Sequence, residues 1–387
     1  MNAFELWQAV RLELSEAVAS YHNDFDLIQF LNLGFKEVQA QANCFEVERA
    51  FEVVQNQRTY PLLKYIPDWI KPRKVKFQDR PLGFFTDQDE AAAWTTAMRS
   101  TASQPWRFFH NTREFGLFPI PTVTRHTAVT VTPTQDSMSV PVAAGLPADL
   151  GVQPGWLLGI GATPTVWYPI ATVANATITL QRPYDEATPA PAQACVLTSG
   201  AIRVWYKAIP PKIRILSTNF PHYTTGKVVL VNGSKTVTGA LLGDAPAWGK
   251  EIVPGMMLGI GTAGVTDKTR PVRWYKVRAV DLTGAQSLTL YEPYELESAT
   301  KNYVLTDPSP FTPHEEWDLA AVYWAAAAAC RNRSGVPLIR SQQLLSMYGA
   351  KLQEVNGDVT SLENEQTDAA PRIRLVDSMS GRRGWPW

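Results

Sequence analysis

A duplicated block places the strongest constraint on what this chain can fold into. The segment PGWLLGIG at 154–161 returns as PGMMLGIG at 254–261. Each copy then alternates short apolar runs with turn residues, which is typical of a small antiparallel barrel or sandwich. The sequence therefore predicts two tandem β-modules. Three further matches follow in the same order in both copies: Trp167-Tyr168 with Trp274-Tyr275, Pro183-Tyr184 with Pro293-Tyr294, and Val196-Leu197-Thr198 with Val304-Leu305-Thr306.

The repeated glycines could belong to a nucleotide-binding loop or to structural turns. A dinucleotide-binding G-x-G-x-x-G requires a third glycine and a helix directly after it, and both copies lack these features. A Pro-Gly turn, a short strand and a Gly-Ile-Gly bend explain the pattern without a ligand, with Ile160 and Ile260 directed into a core. We therefore predict a backbone role for the module-turn glycines, which are Gly155, Gly159, Gly161, Gly255, Gly259 and Gly261.

Helical patterns lie on both sides of this β-rich region. Apolar spacing predicts a first helix within 2–21 and a second that begins at Asn23 or Asp24. A capping box from Thr312 to Glu315 predicts a third helix, and a fourth is expected from Pro337 to about Val355. The runs FEVERAFEVV and PRKVKF read as strands. The predicted fold class is α+β, with helices from both termini packed with a β body and two inserted modules.

These patterns predict six segments along the chain. They are N-terminal helices with the first part of a core at 1–124, a first module at 125–200, a connecting core strand region at 201–225, a second module at 226–306, C-terminal helices at 307–356, and an extended tail at 357–387.

Composition excludes several functional classes. Lys and Arg total 36, as do Asp and Glu, whereas a protein that grips a nucleic-acid backbone by charge carries a basic excess. The three cysteines are far apart, and the five histidines show no paired spacing, which argues against a metal site and favours exposed or capping histidines. No apolar run reaches membrane-spanning length. We expect a soluble protein made in the cytoplasm, without metal or cofactor.

An enzymatic function is not predicted, although one class stays open. The sequence contains no G-x-S-x-G nucleophile motif. A glycosidase needs two carboxylates facing each other across a cleft, and the many acidic residues leave that arrangement possible as a third alternative.

The aromatic residues suggest a second alternative. The chain has 13 tryptophans and 13 tyrosines, and Trp156, Trp167 and Tyr168 of the first module could stack on sugar rings. The protein would then be a glycan-binding or decorating virion protein that uses its repeats as lectin-like modules. We favour the simpler interpretation, in which the Trp-Tyr pairs alternate inward and outward on a strand and fill a small core.

Three stretches outside the modules carry a family resemblance. They are YPLLKYIPDWIKPRKVKF at 60–77, FGLFPIPT at 115–122 and PFTPHEEWDLAAVYWAAAAACRNR at 310–333. Together with the two opening helices, these stretches resemble the head-to-tail adaptor (connector) proteins of tailed bacteriophages, over roughly the first 120 and last 80 residues. The repeats resemble β-modules of phage virion proteins, and as an insertion they depart from the compact family pattern.

The resemblance implies a structural protein of the virion neck. Such adaptors form a homo-oligomeric ring, usually of twelve subunits, that binds the portal protein above and tail or nozzle proteins below. Viral DNA passes through the channel without sequence-specific binding, and no membrane or cofactor is involved.

Two groups of residues are candidates for the contacts of such a ring. Trp and Arg contribute strongly to interfaces, so the end of the tail could dock on the portal, the alternative being a solvent-facing tail. The alanine-rich helix could pack against a neighbouring subunit or within its own chain, since small side chains let another backbone approach closely. The portal-docking residues are Arg382, Arg383, Trp385 and Trp387, and the ring-packing residues are Trp317, Trp324, Ala325 and Ala328.

Overall fold

The computed structural model confirms the α+β fold class. It divides the chain into two compact units, Phe45–Ile209 and the combination of Met1–Cys44 with Pro210–Trp387. The six segment boundaries stay predictions. The structure describes residues 1–16, 21–84, 103–111, 113–146, 150–161, 163–164, 166–186, 188, 192–216, 221–240, 246, 248–260, 273–282, 286–311, 317–332 and 338–368.

Helices from both ends of the chain lie in the same unit. The helices of the described ranges are α1 (Ala3–Glu13), α2 (Asp24–Ala42), α3 (Leu62–Tyr65), α4 (Asp318–Asn332) and α5 (Leu338–Asp368). All except the short α3 belong to the unit that joins the two termini. Asn23 is the N-cap of α2, because its side-chain oxygen accepts a hydrogen bond from the Asp26 amide at 2.7 Å.

Two helix boundaries differ from the sequence prediction. The first helix ends at Glu13 although the apolar spacing continues to Val18, because Ser15 adopts a left-handed φ of 56° that a helix cannot contain. The last helix continues past Val355 to Asp368, since its polar C-terminal part contains no proline. The predicted capping box at Thr312 lies outside the described residues.

The helical core has α4 at its centre. This helix contacts α1, α2 and α5, which is possible because its alanines allow close approach. At Gly34 of α2, an added Cβ would lie 2.7 Å from the Ala321 carbonyl oxygen, so the two backbones touch. The predicted apolar face of α2 is confirmed as buried, and it consists of Leu27, Ile28, Leu31, Phe35 and Val38.

The other unit contains two four-stranded sheets in the orders β1-β14-β3-β4 and β2-β7-β6-β5. Their facing apolar side chains form one core, with Tyr60, Phe77 and Tyr206 among its largest members. The central strand β14 follows the first module in sequence and inserts between β1 and β3. The strands are β1 (Glu46–Glu52), β2 (Thr59–Pro61), β3 (Trp69–Phe77), β4 (Arg80–Pro81), β5 (Gly83–Phe84), β6 (Arg107–His110), β7 (Glu114–Phe118) and β14 (Ala201–Ala208).

The first module is a closed six-stranded antiparallel barrel, called barrel 1 below. Its strand order is β8-β13-β10-β11-β12-β9, and a bridge between Val131 and Val142 joins the last strand to the first. The strands are β8 (Arg125–Val131), β9 (Ser139–Pro141), β10 (Leu157–Ile160), β11 (Trp167–Ala174), β12 (Thr177–Leu180) and β13 (Gln193–Thr198).

The second module, barrel 2, repeats this topology. Its order is β15-β22-β18-β19-β20-β17-β16-β21, and β21 is separated from β22 only by Asn302, so the ladder returns to its start. Two strands that are continuous in barrel 1 are interrupted in barrel 2. One interruption is Asn302, between β21 and β22, and the other lies between β15 and β16. The strands are β15 (His222–Tyr223), β16 (Val228–Leu230), β17 (Thr236–Gly239), β18 (Met257–Ile260), β19 (Arg273–Asp281), β20 (Ser287–Leu290), β21 (Ala299–Lys301) and β22 (Tyr303–Thr306).

Candidate assembly interface

The first candidates for a functional site are possible metal ligands. Across the described ranges, no group of three or more His, Cys, Asp and Glu side chains is arranged to hold a metal ion. Among the helices described, none combines the length and apolar character needed to cross a bilayer. Other candidates are the surfaces on which the predicted contact residues lie.

Part of the predicted interface lies outside the described residues. This applies to the portal-docking residues Arg382, Arg383, Trp385 and Trp387, and to Gly261 of the second module.

The alanine-rich helix has an intramolecular partner. Ala325 is fully buried among the helices of its own unit, and Trp317 is buried with its Nε1 donating a hydrogen bond to Asp358 Oδ2 at 3.0 Å. Both side chains pack within their own unit, and their role in a ring contact stays a prediction. Trp324 and Ala328 are half-buried, and these two also remain candidates for a ring contact.

Three exposed apolar side chains lie on segments that meet at one end of the helical core. We define this bundle-end patch by Leu12, Tyr21 and Ile339, whose exposed fractions are 77%, 51% and 65%. The end of α1 and the start of α5 meet here, because Arg340 Nη2 donates a hydrogen bond to the Glu13 carbonyl oxygen at 2.9 Å. Three large apolar side chains this exposed on neighbouring segments are a candidate surface for a protein contact. Sequence spacing did not single out this patch, because it arises where separate helix ends meet.

A buried polar network fixes the backbone beneath the bundle-end patch. Arg11 Nε donates to Asp24 Oδ1 at 2.9 Å, and Arg11 Nη2 donates to the His22 carbonyl oxygen at 3.2 Å. Trp7 Nε1 donates to the same Asp24 oxygen at 2.8 Å. The guanidinium therefore ties α1 to the first turn of α2, with Glu16 as a second carboxylate 3.7 Å from its Nη1.

His22 completes this network, and it is buried at the last turn of α4, which agrees with a capping position and not with an exposed one. Its Nδ1 lies 3.1 Å from Glu16 Oε1, and its Nε2 lies 3.1 Å from the Ala329 carbonyl oxygen of α4. His22 therefore links the segment before α2 both to Glu16 and to α4.

The module-turn glycines have backbone functions. Gly155 and Gly255 adopt φ values of 86° and 94°, and their amides donate to the carbonyls of Ile170 and Val277 at 2.9 and 2.8 Å. These equivalent bonds close the Pro-Gly turn of each barrel. Gly161 follows β10 with a φ of 91°, which a side chain would disfavour.

A second glycine position in each barrel lies under a tryptophan. Gly159 pairs with Trp167 in barrel 1, and Gly259 pairs with Trp274 in barrel 2. An added Cβ on Gly159 would lie 2.8 Å from Trp167 Cζ3 and 2.5 Å from Pro164 Cγ. Glycine is therefore required here by the close approach of the indole.

The Trp-Tyr pairs alternate as the sequence predicts. Tyr168 and Tyr275 are buried inside their barrels, in equivalent positions. Trp167 is buried on the outside of barrel 1, where it packs with Ala201 of β14. Trp156 is also buried and stacks on His126 with centroids 5.9 Å apart. The aromatic side chains of barrel 1 that could have stacked on sugars are thus used inside the protein.

Comparison with known proteins identifies one related family. Residues 1–160 match the family model described as SU10 adaptor protein, a match that covers α1, α2 and the strands up to β10 of barrel 1. This supports the resemblance to phage adaptor proteins over the N-terminal part of the chain. The C-terminal stretch at 310–333 lies beyond the matched residues. No curated protein matches the sequence.

Proposed function

We propose that this protein is a structural head-to-tail adaptor of a tailed bacteriophage. In this proposal a homo-oligomeric ring of twelve subunits joins the portal to the tail in the virion neck, and viral DNA passes through its channel. The observation that carries the proposal is the match of residues 1–160 to the SU10 adaptor family model. A non-enzymatic role follows from the same similarity.

The bundle-end patch supports an assembly role. A ring subunit needs at least two contact surfaces, one for each neighbour, and an adaptor needs more for the proteins above and below it. Leu12, Tyr21 and Ile339 provide an apolar surface on a base made rigid by buried charges. We assign this patch to a protein contact within the neck, with the tail residues Arg382, Arg383, Trp385 and Trp387 docking on the portal.

The two barrels are insertions in this proposal, and the structure changes how that idea must be tested. Removing the whole of 125–306 would also remove β14, which pairs with both β1 and β3. A deletion restricted to β8–β13 spares that strand. An adaptor without barrel 1 should still bind the portal, whereas a lectin-like protein would lose glycan binding.

Negative-stain electron microscopy of the purified chain, alone and mixed with its portal protein, tests the proposal. Rings, or monomers that become rings on the portal, are the expected result. Persistent monomers that do not bind the portal would contradict it. The glycan-binding alternative would then require surfaces other than Trp156, Trp167 and Tyr168, since these side chains are buried.

A further inference from the structure

One face of the sheet formed by β1, β14 and β3 carries an unusual group of cations. The opposite face packs into the core through Ile202, Val204 and Tyr206. Because side chains alternate along a strand, Arg203 and Trp205 of β14 lie on the outer face. Their register partners on β3 are Lys76 and Lys74.

Three of these cations surround a single indole ring. The Lys74 and Lys76 ammonium nitrogens lie 5.7 and 5.6 Å from the Trp205 ring centroid, and the Arg203 guanidinium carbon lies 4.8 Å away. Each cation is attracted by the ring, but the three repel one another. Burial lowers the pKa of Lys76, and the nearby Lys74 and Arg203 charges add to that effect against the opposing charge of Asp79.

Carboxylates balance only part of this face. Arg203 pairs with Glu48 at 2.7 Å and with Asp79 at 2.9 Å. By contrast, Lys71, Lys74 and Lys76 form no ion pair with any carboxylate in the part of the chain that the structure describes. Lys71 and Lys74 are also exposed. At Lys71 and Lys74, the β3 side of the sheet therefore presents to solvent positive charges that have no ion-paired carboxylate among the described residues.

The backbone of β3 limits how a partner can bind there. β4 pairs only with Lys76 and Phe77, so within the described ranges the first part of β3 has no neighbour on that side. Pro72 lies in this open stretch and lacks an amide hydrogen. Proline and lysine on an open edge disfavour the addition of another strand. A partner would therefore contact the lysine side chains and leave the sheet unextended.

The chain itself contains a segment of opposite charge. From Leu352 to the end of α5 at Asp368 there are five acidic residues and no Lys or Arg. The C-terminal end of a helix is also its negative dipole end, where acidic residues are unfavourable unless a cation lies near. Because the chain contains 36 basic and 36 acidic residues, an excess of positive charge at β3 must be balanced by an excess of negative charge elsewhere in the sequence. Two of the five acids have partners in the chain, since Glu354 pairs with Lys351 and Asp358 accepts a hydrogen bond from Trp317 Nε1. The other three are Glu363, Glu365 and Asp368.

We infer that in the ring, and thus on the basis of the proposed function, Lys71, Lys74 and Lys76 of one copy bind the acidic C-terminal half of α5 of the next copy. A ring needs two different complementary surfaces on every subunit, and these two segments meet that requirement.

Charge reversal in the full-length chain tests the inference. The basic variant carries Lys74→Glu with Lys76→Glu, and the acidic variant carries Glu363→Lys with Glu365→Lys. Self-association of the chain is measured by sedimentation velocity, once without and once with the portal protein. It should weaken about tenfold or more for each variant, because residues of the same charge would then face each other between neighbouring copies. An equimolar mixture of the two variants should recover association. Raising the salt concentration from about 50 mM to about 500 mM should weaken the wild type.

The control carries the same change of charge in barrel 2, Lys235→Glu with Lys250→Glu, and should associate like the wild type. Rings that form on the portal with all variants equally would overturn the inference and leave the adaptor proposal intact. A wild-type chain that stays monomeric alone and on the portal would overturn both. Binding of duplex DNA by the wild type, lost in Lys74→Glu/Lys76→Glu, would assign the face to DNA and also overturn the inference.

Discussion

Trp167 and Trp274 occupy the same register position in the two barrels, each opposite a glycine, but they attach their barrels to different structures. Trp167 packs with Ala201 of β14. Trp274 Nε1 donates to Glu5 Oε1 of α1 at 3.1 Å. The Trp-Tyr pair of each barrel thus has one role that both barrels share and one role that differs between them. The tyrosine fills the barrel, and the tryptophan connects it to whatever lies next to it.

The first prediction concerns the glycine beneath Trp167. Gly159→Ala should lower the free energy of unfolding by about 1–3 kcal/mol, because the new methyl group overlaps Pro164 and the indole. Gly349→Ala in α5 is the matched control, since its Cβ meets nothing within 4 Å and should stabilise the helix by about 1 kcal/mol. Urea unfolding measures both. Equal changes in the free energy of unfolding for the two substitutions would contradict the close approach of Trp167 to Gly159.

The second prediction concerns the buried network beneath the bundle-end patch. Arg11→Met should destabilise the protein by about 3–5 kcal/mol, because Asp24 and Glu16 would be left as buried carboxylates without their cation. Lys351→Met removes the exposed pair with Glu354 and should cost less than about 1 kcal/mol. Thermal unfolding monitored by helical circular dichroism compares the two. A small loss for Arg11→Met would show that the network contributes little.

The third prediction concerns the bundle-end patch as an assembly surface. Leu12→Ser with Ile339→Ser should change stability by no more than about 0.5 kcal/mol, since both side chains are exposed, but should reduce ring formation on the portal. The control is Leu63→Ser with Val231→Ser, two exposed apolar positions outside the helical core. Electron microscopy gives the fraction of assembled particles. Full assembly of the Leu12 variant would exclude the patch from the interface.

The fourth prediction concerns alkaline pH and barrel 1. Burial raises the pKa of the Cys195 thiol from its ordinary 9.0 to about 12, and burial with the nearby Glu186 raises the pKa of Tyr184 to about 12. The folded state then holds more protons than the unfolded chain above pH 9. The contribution of these groups to the free energy of unfolding is fully present below pH 9. It falls as the pH rises toward 12, by about 1.4 kcal/mol per pH unit for the thiol alone.

Unfolding curves at several pH values from 8 to 12 measure this dependence. Cys195→Ala should show a shallower fall between pH 9 and 12 than the wild type, because it lacks the thiol. In the native protein at pH 8, Cys195 should also resist thiol reagents, since it is buried and protonated. The same slope in both proteins would contradict the assignment.

The fifth prediction concerns the C-terminal tail. Removing 371–387 should weaken portal binding about tenfold or more and leave the unfolding temperature unchanged, since tryptophan and arginine contribute most of the energy of typical interfaces. Arg382→Ala with Trp387→Ala should reproduce most of the loss, and Ser378→Ala with Ser380→Ala should not. Surface-immobilised portal provides the affinities. Unchanged affinity of the truncated chain would refute the docking proposal.

Much of the architecture could be predicted from local patterns, because those patterns are properties of neighbouring residues. The matched blocks gave two β-modules, and the spacing of Leu27, Leu31 and Val38 gave the buried face of α2. The end of α1 could not be predicted in the same way, because the apolar spacing continues through Ser15, where the backbone turns.

The candidate surfaces depended on long-range contacts that no local pattern contains. His22 and Ala329 are 307 residues apart in sequence and 3.1 Å apart in the fold. The alanine run allowed both an intersubunit and an intramolecular contact, and the burial of Ala325 within its own unit could not be read from the run itself. The lysines of β3 became notable once the register placed two of them beside Trp205.

The position of β14 has a consequence for how the protein is made. Glu48 and Arg203, paired across β1 and β14, are 155 residues apart in the chain, so β1 and β3 leave the ribosome long before the strand that joins them exists. At roughly 5–20 residues per second, these strands wait for many seconds with open edges while barrel 1 is synthesised. A fragment that ends at residue 160, where the family match ends, would keep them open permanently. Such a fragment should aggregate, and the chain must be studied beyond residue 208 for its first sheet to form.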